Sequence, residues 1–303
     1  MSAASGAERL SPSPSPRLVE LCERTGEGRA WLARLPARVS ELVRRWSLRL
    51  EPGDGGSLAT CSYVAFVRCA DGTKAVLKLG LPDMESEHEL VGLRFWHEAP
   101  VVRVLRAYGG ASLLERCEPG TALSAWPESD QDRVVAGLLR RLWVVPPKPH
   151  PFRPLLDMAR AWTGAAIARR ERWPDAGLVR AGVERFLELA QPGAGDVLLA
   201  TDLHAGNVLA ASREPWLVID PKPFVGDPAY DATQHLLNGI PRLAADPSGI
   251  VTSFSDRLEV SAERVRGWLI ARLATSARLG SRVMGVAAHE AVELARTLEN
   301  TAF

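Results

Sequence analysis

The sequence predicts an α+β fold in two parts, a small β-rich N-terminal part with one embedded helix and a larger helical C-terminal part. Two β-rich runs at 63–67 and 75–79 flank an Asp-Gly pair at 71–72, which is typical of a hairpin turn. Beyond Pro119 apolar residues recur mostly at helical spacing, interrupted by one β-like interval at 197–220. This order of elements favours an α+β class.

The composition excludes several classes of protein. The chain has 303 residues, 46% of them hydrophobic, which is enough for a substantial core. Lys and Arg number 37 and Asp and Glu 36, so no bulk charge favours nucleic acid or an anionic membrane. We therefore expect no nucleic-acid partner and no membrane partner. A charged ligand would have to be bound by a local group of charged side chains.

Cysteine usage and the apolar runs indicate a cellular compartment. The four cysteines form no C-x-x-C pair, which fits a reducing environment and argues against a zinc site. No apolar run approaches the roughly 18 residues needed to cross a bilayer, and no signal-peptide pattern is recognised at the N-terminus. We expect a cytoplasmic protein that is a monomer or a weak dimer.

The N-terminal part is predicted in chain order as follows. Residues 1–16 are small, polar and Pro-rich and predict a disordered leader. Apolar spacing over 18–46 predicts two helices, with Pro36 near a helix start or kink. After the hairpin come a helix at 85–97 and further strands at 101–105 and 111–115.

The C-terminal part is predicted to be mainly helical. Its predicted helices share an apolar stripe and span residues 130–143, 155–171, 178–189, 261–279 and 286–298. The interval at 197–220 reads as strand, loop and strand. The predicted domains are an N-terminal lobe at 17–116 and a C-terminal lobe at 117–303.

Polar residues at the ends of the short C-terminal strands indicate a cation site. Asp202 and Asn207 lie on one loop, and Asp220 ends the run 216–219. Oxygen ligands of this kind suit Mg²⁺, which usually keeps one or two carboxylates together with substrate phosphates. Lys78 lies within an apolar strand, where an unpaired ammonium is costly, and Glu89 on the following helix is its expected partner.

These residues carry a family resemblance. The run D-L-H-x-G-N at 202–207, I-D-P at 219–221 and V-L-K-L at 76–79 resemble the aminoglycoside phosphotransferase family of the protein-kinase-like fold. The segments 212–223 and 226–231 are similar in particular to its streptomycin 6-phosphotransferase and hydroxyurea kinase subgroup. The resemblance covers residues 30–300 and implies a bilobal kinase-like enzyme.

The resemblance also implies a role for individual residues. Asp202 would accept or orient the proton of the substrate hydroxyl, and Asn207 and Asp220 would hold Mg²⁺ bridging the phosphates of ATP. Lys78 would bind those phosphates, with Glu89 as its ion-pair partner. The remaining implied contacts of ATP are a glycine-rich turn and a segment beside adenine, which include Gly55, Gly56, Ser57, Glu115 and Cys117.

Each of these residues also has a plain structural interpretation. Asp202 beside an amide is compatible with a simple Asx turn, and Lys78 with a side chain that reaches solvent from an edge strand. Glu85 and Glu87 compete with Glu89, which is preferred because its spacing to the apolar residues of the same helix places it on the buried face.

Four further polar residues are expected to support the structure. His204 is expected to hydrogen-bond loop backbone, and Asp227 and Asp231 to stabilise their loop, with Asp231 capping a helix that begins at Ala232. His235 is expected to pack within a helix.

The identity of the acceptor is the open question. The subgroup implies an aminocyclitol antibiotic such as streptomycin, a cation that calls for carboxylates, for which Glu290 and Glu293 are candidates together with Asp202. Arg278 and Arg282 favour another small hydroxyl acceptor, such as hydroxyurea, an amino sugar or a metabolite. A non-catalytic ATP-binding relative is a third possibility. The family commonly has His two residues before the catalytic Asp, where this chain has Ala200, and Gly or a larger residue at the next position, where it has Thr201.

Overall fold

The computed structural model describes residues 13–52, 61–82, 84, 87–279 and 282–301. Most of the predicted leader and the glycine-rich turn with Gly55, Gly56 and Ser57 lie outside the described residues. The chain divides into two compact units. The first comprises the chain up to His97 and residues 102–118, and the second comprises residues 98–101 and the chain from Pro119 onward.

Two helices open the first unit, as predicted. Helix α1 spans Pro16–Glu23 and begins where Ser15 Oγ accepts a hydrogen bond from Leu18 N. Helix α2 spans Gly26–Trp46. Pro36 lies inside α2, so it does not mark a helix start, and the alternative of a kink at this residue stays a prediction.

A five-stranded antiparallel sheet follows, with the order β1-β2-β3-β5-β4. The predicted hairpin is confirmed, and Gly72 adopts a φ of 87° in its turn, a conformation that favours glycine. The elements of this region are β1 Arg49–Leu50, β2 Ser62–Arg68, β3 Lys74–Gly80, helix α3 Glu89–Phe95, β4 Val104–Tyr108 and β5 Ala111–Glu115.

The alternation of side chains along β3 places Lys78 on the face opposite the core. Leu77 and Leu79 belong to a buried cluster with Leu35 and Leu42 of α2. Because successive strand residues point to opposite faces, Lys78 projects from the other side of the sheet. The buried cluster therefore fixes the strand that carries the lysine.

Two predicted boundaries in this region are wrong. The helix predicted at 85–97 begins at Glu89 and ends at Phe95. The strand predicted from Val101 begins at Val104. Val101 instead forms a parallel bridge with Val218 in the second unit, where Pro100 O also accepts a hydrogen bond from Val218 N. Local apolar patterning could not reveal this long-range pairing.

The second unit is mainly helical, as predicted. The five predicted helices are all observed, although the one predicted at 155–171 ends at Ile167. The segment 229–258 additionally folds into three helices that were not predicted as separate elements. The helices of this unit are α4 Glu128–Leu142, α5 Leu155–Ile167, α6 Ala176–Leu189, α7 Ala229–Asn238, α8 Ile240–Ala245, α9 Pro247–Leu258, α10 Ala262–Ser276 and α11 Ala288–Asn300.

Short antiparallel strand pairs interrupt these helices. Strand β6 pairs with β9, β7 with β8, and β10 with β11. The strands are β6 Val197–Leu199, β7 Val208–Ala210, β8 Trp216–Val218, β9 Phe224–Gly226, β10 Arg282–Val283 and β11 Val286–Ala287. The pairs β6–β9 and β7–β8 hold the loops that carry Asp202 and Asp220.

The core of the second unit is aromatic where α6, α7 and α10 meet. The ring of Trp268 lies 5.5 Å from that of Phe186 and 5.0 Å from that of Tyr230, both edge to face. Gly182 of α6 lies so close to Ala274 of α10 that a Cβ atom there would approach within 2.5 Å. None of the described helices has the length and apolar character of a membrane span.

Candidate active site

Lys78 and Glu89 form a buried ion pair in the first unit. Lys78 Nζ lies 2.5 Å from Glu89 Oε1, and the two side chains are 8% and 13% exposed. Glu89 is the first residue of α3, so the start of this helix lies beside the lysine of β3. A buried ammonium is stable when a carboxylate compensates it. The structure thus brings together the two residues that the sequence predicted as partners.

The segment predicted to lie beside adenine begins at the end of β5. Glu115 is the last residue of β5, and its backbone N–H donates to Arg103 O at 2.8 Å. Its carboxylate accepts a hydrogen bond from Arg103 N at 3.0 Å. Cys117 is buried two residues later. The Glu115 carboxylate thus has a structural partner, and the role of both residues toward ATP stays a prediction.

In the second unit, the loop between β6 and β7 is tied to the segment that follows β8. Ala200 O accepts hydrogen bonds from Asp202 N at 2.7 Å and from Lys222 N at 2.8 Å. Thr201 Oγ1 donates to Lys222 O at 2.5 Å. Thr201 has a φ of 46°, which is uncommon for a β-branched residue and is maintained by these bonds. The backbone around Asp202 is therefore firmly positioned.

Asp231 anchors the same loop from helix α7. Its buried carboxylate accepts hydrogen bonds from Ala200 N, Thr201 N and Trp143 Nε1 at 3.0, 2.7 and 2.9 Å. Helix α7 begins at Ala229, so the expectation that Asp231 caps a helix starting at Ala232 is wrong. Burial raises the pKa of Asp231 to about 6, although its hydrogen bonds favour the charged form.

The carboxylate of Asp202 is contacted at both oxygens. Oδ1 accepts a hydrogen bond from Gln234 Nε2 at 2.7 Å, and Oδ2 lies 3.0 Å from Lys222 Nζ. The side chain is 21% exposed, so it is held in place and still reaches solvent. An Asx turn would direct the carboxylate to nearby backbone, whereas both of these partners are side chains distant in sequence.

Asn207 and Asp220 lie at the same end of the β7–β8 pair. Val208 is paired with Val218, and Ile219 N donates to Asn207 O at 2.9 Å. The Asn207 amide nitrogen donates to Asp202 O at 2.9 Å, which leaves its amide oxygen as the atom suited to a cation. Asp220 adopts a φ of 55°.

This donor set fits Mg²⁺ bound together with phosphates. One amide oxygen and one carboxylate are hard ligands, and Mg²⁺ usually completes its coordination with water and substrate oxygens. Within the described residues, no group of three or more His, Cys, Asp or Glu is arranged to hold a metal.

His204 and Asp227 make contacts that support the loop and its surroundings. His204 Nδ1 accepts a hydrogen bond from Gly206 N at 3.1 Å, and burial lowers the pKa of the imidazole. Asp227 Oδ1 accepts from Ala229 N, while Oδ2 accepts from Arg264 Nε and Trp268 Nε1. Asp227 thereby connects the start of α7 to α10.

Glu290 and Glu293 lie at the exposed N-terminal end of α11. The Glu290 carboxylate accepts a hydrogen bond from Ala287 N at 2.6 Å and so caps the helix. In the described chain, no hydrogen bond or ion pair joins either glutamate to Asp202. Their predicted contact with an acceptor stays a prediction.

Three side chains around Asp202 were missed by sequence reasoning. Lys222 stands two residues after Asp220, and this short spacing was the signal that could have identified it. Gln234 and Arg272 come from α7 and α10 and carry no local signal. His235, expected only to pack, is also hydrogen-bonded, with its Nε2 lying 2.9 Å from Asp132 Oδ1.

This chain is similar to known proteins over most of its length. The family model described as aminoglycoside/hydroxyurea antibiotic resistance kinase matches residues 46–283. A streptomycin 6-kinase of Streptomyces griseus is 40% identical over 271 residues, which cover 84% of this chain and 87% of that protein. A hydroxyurea phosphotransferase of Kitasatospora aureofaciens is 40% identical over 265 residues, covering 84% and 76%.

A solved structure confirms the predicted kinase-like fold. The crystal structure of a spectinomycin phosphotransferase, determined with ADP and spectinomycin, superposes with a TM-score of 0.51 at 15% identity. The match covers 88% of this chain and 98% of that structure. With the family model matching most of its length, this chain belongs to the aminoglycoside/hydroxyurea antibiotic resistance kinase family.

Proposed function

We propose that this protein transfers the γ-phosphoryl group of ATP, with Mg²⁺, to a hydroxyl group of a streptomycin-type aminocyclitol. The observation that supports this most directly is the Asp202 carboxylate, which is held by Gln234 and Lys222 and remains partly exposed. The 40% identity to streptomycin 6-kinase favours this class of acceptor. A phosphorylated cationic drug would lose positive charge, and resistance would follow from weaker binding to its RNA target.

Asp202 is the proposed group that takes the proton of the acceptor hydroxyl. The hydroxyl O–H bond breaks as the oxygen bonds to the γ-phosphorus, and the bond from that phosphorus to the bridging oxygen of ADP breaks. The proton passes to Asp202. Such transfer needs little covalent help, so positioning of the acceptor and neutralisation of charge supply most of the catalysis.

The other proposed roles concern the nucleotide. Asn207 and Asp220 would hold Mg²⁺, which when bound neutralises charge on the phosphates of ATP. Lys78 would hydrogen-bond those phosphates, and Glu89 would keep the lysine oriented. Glu115 and Cys117 would lie beside adenine.

A second candidate acceptor is a small neutral molecule such as hydroxyurea. The partly buried Arg278 has a lowered pKa because of burial and because Arg169 and Arg172 lie near it. Arginines grouped at an acceptor site would disfavour a polycationic acceptor, whose binding calls for carboxylates. The 40% identity to hydroxyurea phosphotransferase is compatible with this alternative.

An ATP-consumption assay over streptomycin, hydroxyurea and amino sugars tests the proposal. Streptomycin-dependent ADP formation is expected, and consumption with hydroxyurea alone would select the second candidate. Silence with every acceptor, together with intact ATP binding, would indicate a non-catalytic relative. Asp202→Asn should abolish turnover and retain stabilisation by ATP, whereas Asp196→Asn, before β6, should retain turnover. Full turnover in Asp202→Asn would disprove the role of Asp202.

A further inference from the structure

The two carboxylate oxygens of Asp202 have different surroundings. Oδ1 accepts its hydrogen bond from Gln234, whose side chain is buried in the second unit. Oδ2 faces Lys222, whose side chain is 21% exposed. Oδ1 is therefore hydrogen-bonded to a buried side chain, whereas Oδ2 lies beside a side chain that reaches solvent.

Arg272 determines which end of the Gln234 amide faces Asp202. Arg272 Nη2 donates a hydrogen bond to Gln234 Oε1 at 2.6 Å. A guanidinium has donors and no acceptor, so only the amide oxygen can face it. The amide nitrogen must then point toward Asp202, where it donates to Oδ1. A flipped amide would oppose donors to donors at one end and acceptors to acceptors at the other.

Arg272 is an unusual residue to bury in this position. It is 6% exposed, and its other hydrogen bond goes to Thr233 Oγ1 at 2.6 Å. No carboxylate of the described chain forms an ion pair with it, and its charge instead lies near the rings of Tyr230 and Trp162. The buried carboxylate of Asp231 lies within electrostatic range of this charge, without a direct ion pair. The specific contacts of the guanidinium are therefore its two hydrogen bonds, one of which holds Gln234.

We propose that Arg272 and Gln234 are positioning residues that hold Asp202 through Oδ1, so that Oδ2, beside Lys222, receives the proton of the acceptor hydroxyl. This inference rests on the proposed function of Asp202. Arg272 of α10 fixes Gln234 of α7, and Gln234 fixes the carboxylate on the loop. Lys222 places a positive charge beside the reacting oxygen and is anchored through its backbone to Ala200 and Thr201.

The consequence is an effect on turnover and not on binding. Arg272 contributes to catalysis through Gln234, and neither residue needs to contact ATP or the acceptor. A reacting group that is misplaced by about 1 Å can lose about a hundredfold in rate. Loss of either positioning residue should therefore lower kcat and leave the KM for both substrates nearly unchanged.

A double-mutant cycle tests this hydrogen-bonded chain from Arg272 through Gln234 to Asp202, called the relay below. Gln234→Leu, Arg272→Met and the double variant are compared with the unmodified protein for kcat and for KM of ATP and the acceptor. Each single variant should lose about tenfold or more in kcat. The double variant should be no slower than the slower single variant, because both substitutions remove the same hydrogen-bonded chain. Independent, multiplicative losses would overturn the relay.

Two further variants separate positioning from folding. Thr233→Val removes the other hydrogen bond of Arg272 and should lower Tm while kcat is retained. Gln234→Glu has nearly the same shape and keeps a partner for Arg272, but it places a carboxylate against Asp202 Oδ1. It should retain Tm and lose kcat. Full kcat in a folded Gln234→Glu variant would overturn the proposal even if the other variants failed to fold.

The control Asp202→Asn separates an error in the proposed role of Asp202 from an error in the proposed roles of Gln234 and Arg272. If Asp202→Asn keeps full turnover, the proposed function of Asp202 is wrong, and the relay fails with it. If Asp202→Asn is inactive while Gln234→Glu is fully active, the relay alone is wrong. Reduced kcat with unchanged KM in Gln234→Glu, and partial recovery by Arg272→Lys relative to Arg272→Met, would support both.

Discussion

The ammonium group of Lys78 on β3 lies 2.5 Å from the carboxylate of Glu89, the first residue of α3. Both side chains are largely buried, and the contact connects the sheet of the first unit to its embedded helix. If Lys78 binds the phosphates of ATP, Glu89 determines where the ammonium can lie. Substitution of the glutamate should then change the affinity for ATP more than the rate of the chemical step.

Glu89→Gln is expected to raise the KM for ATP by about tenfold or more, because it replaces a hydrogen bond between charged groups, which contributes about 1.5–3 kcal/mol. Steady-state kinetics with varied ATP measures this effect. Glu87→Gln is the matched control, since Glu87 is exposed two residues earlier and competed for the same role in the sequence. An equal rise in KM for both variants would contradict the specific role of Glu89.

Asp220→Asn is expected to reduce Mg²⁺-dependent turnover by about a hundredfold or more while Tm stays nearly unchanged, because Asn loses the ligand charge but tolerates a φ of 55°. Turnover at increasing Mg²⁺ concentration measures the loss. Glu259→Asn is the control, since Glu259 is an exposed acid with a φ of 59°. Unchanged Mg²⁺ dependence in Asp220→Asn would remove Asp220 from the metal site.

Gly182→Ala is expected to lower the free energy of unfolding by about 1–3 kcal/mol, because its Cβ would clash with Ala274 Cβ between α6 and α10. Gly137→Ala is the control. A Cβ at Gly137 meets nothing within 4 Å, so this change in the exposed face of α4 should stabilise by about 0.5–1 kcal/mol. Denaturant unfolding measures both. Changes of the same sign would contradict the close approach of the two helices.

The loop with Asp202 and Asn207 could be located from sequence because its polar residues are closely spaced and are bounded by apolar strands. Lys78 was recognisable for a similar reason, as one charge within an apolar run. In both places, burial of the neighbours constrains the backbone over a short distance. Local patterning was therefore sufficient to find the strands and the residues at their ends.

The contacts that hold Asp202 could not be predicted in this way. Gln234 lies 32 positions from Asp202, and Arg272 lies 38 positions from Gln234. Asp231 was assigned to a local cap, whereas its carboxylate accepts hydrogen bonds from the backbone 30 and 31 positions away. These contacts depend on the packing of α7 and α10 against the loop, for which a single sequence provides no periodic signal.

The buried carboxylate of Asp231 should make the stability of the fold depend on pH. Its pKa is raised to about 6 in the folded state, so between pH 4 and 6 the folded protein binds a proton that the unfolded chain releases. The contribution of Asp231 to the free energy of unfolding must therefore fall as pH rises through this range, by about 3 kcal/mol in total. Asp231→Asn removes the titration, so the stability of the unmodified protein relative to this variant should decline from pH 4 to 6.5 in urea unfolding. A difference that is flat or rises with pH would show that the carboxylate is already ionised in the fold, with its hydrogen bonds from Ala200, Thr201 and Trp143 outweighing the cost of burial.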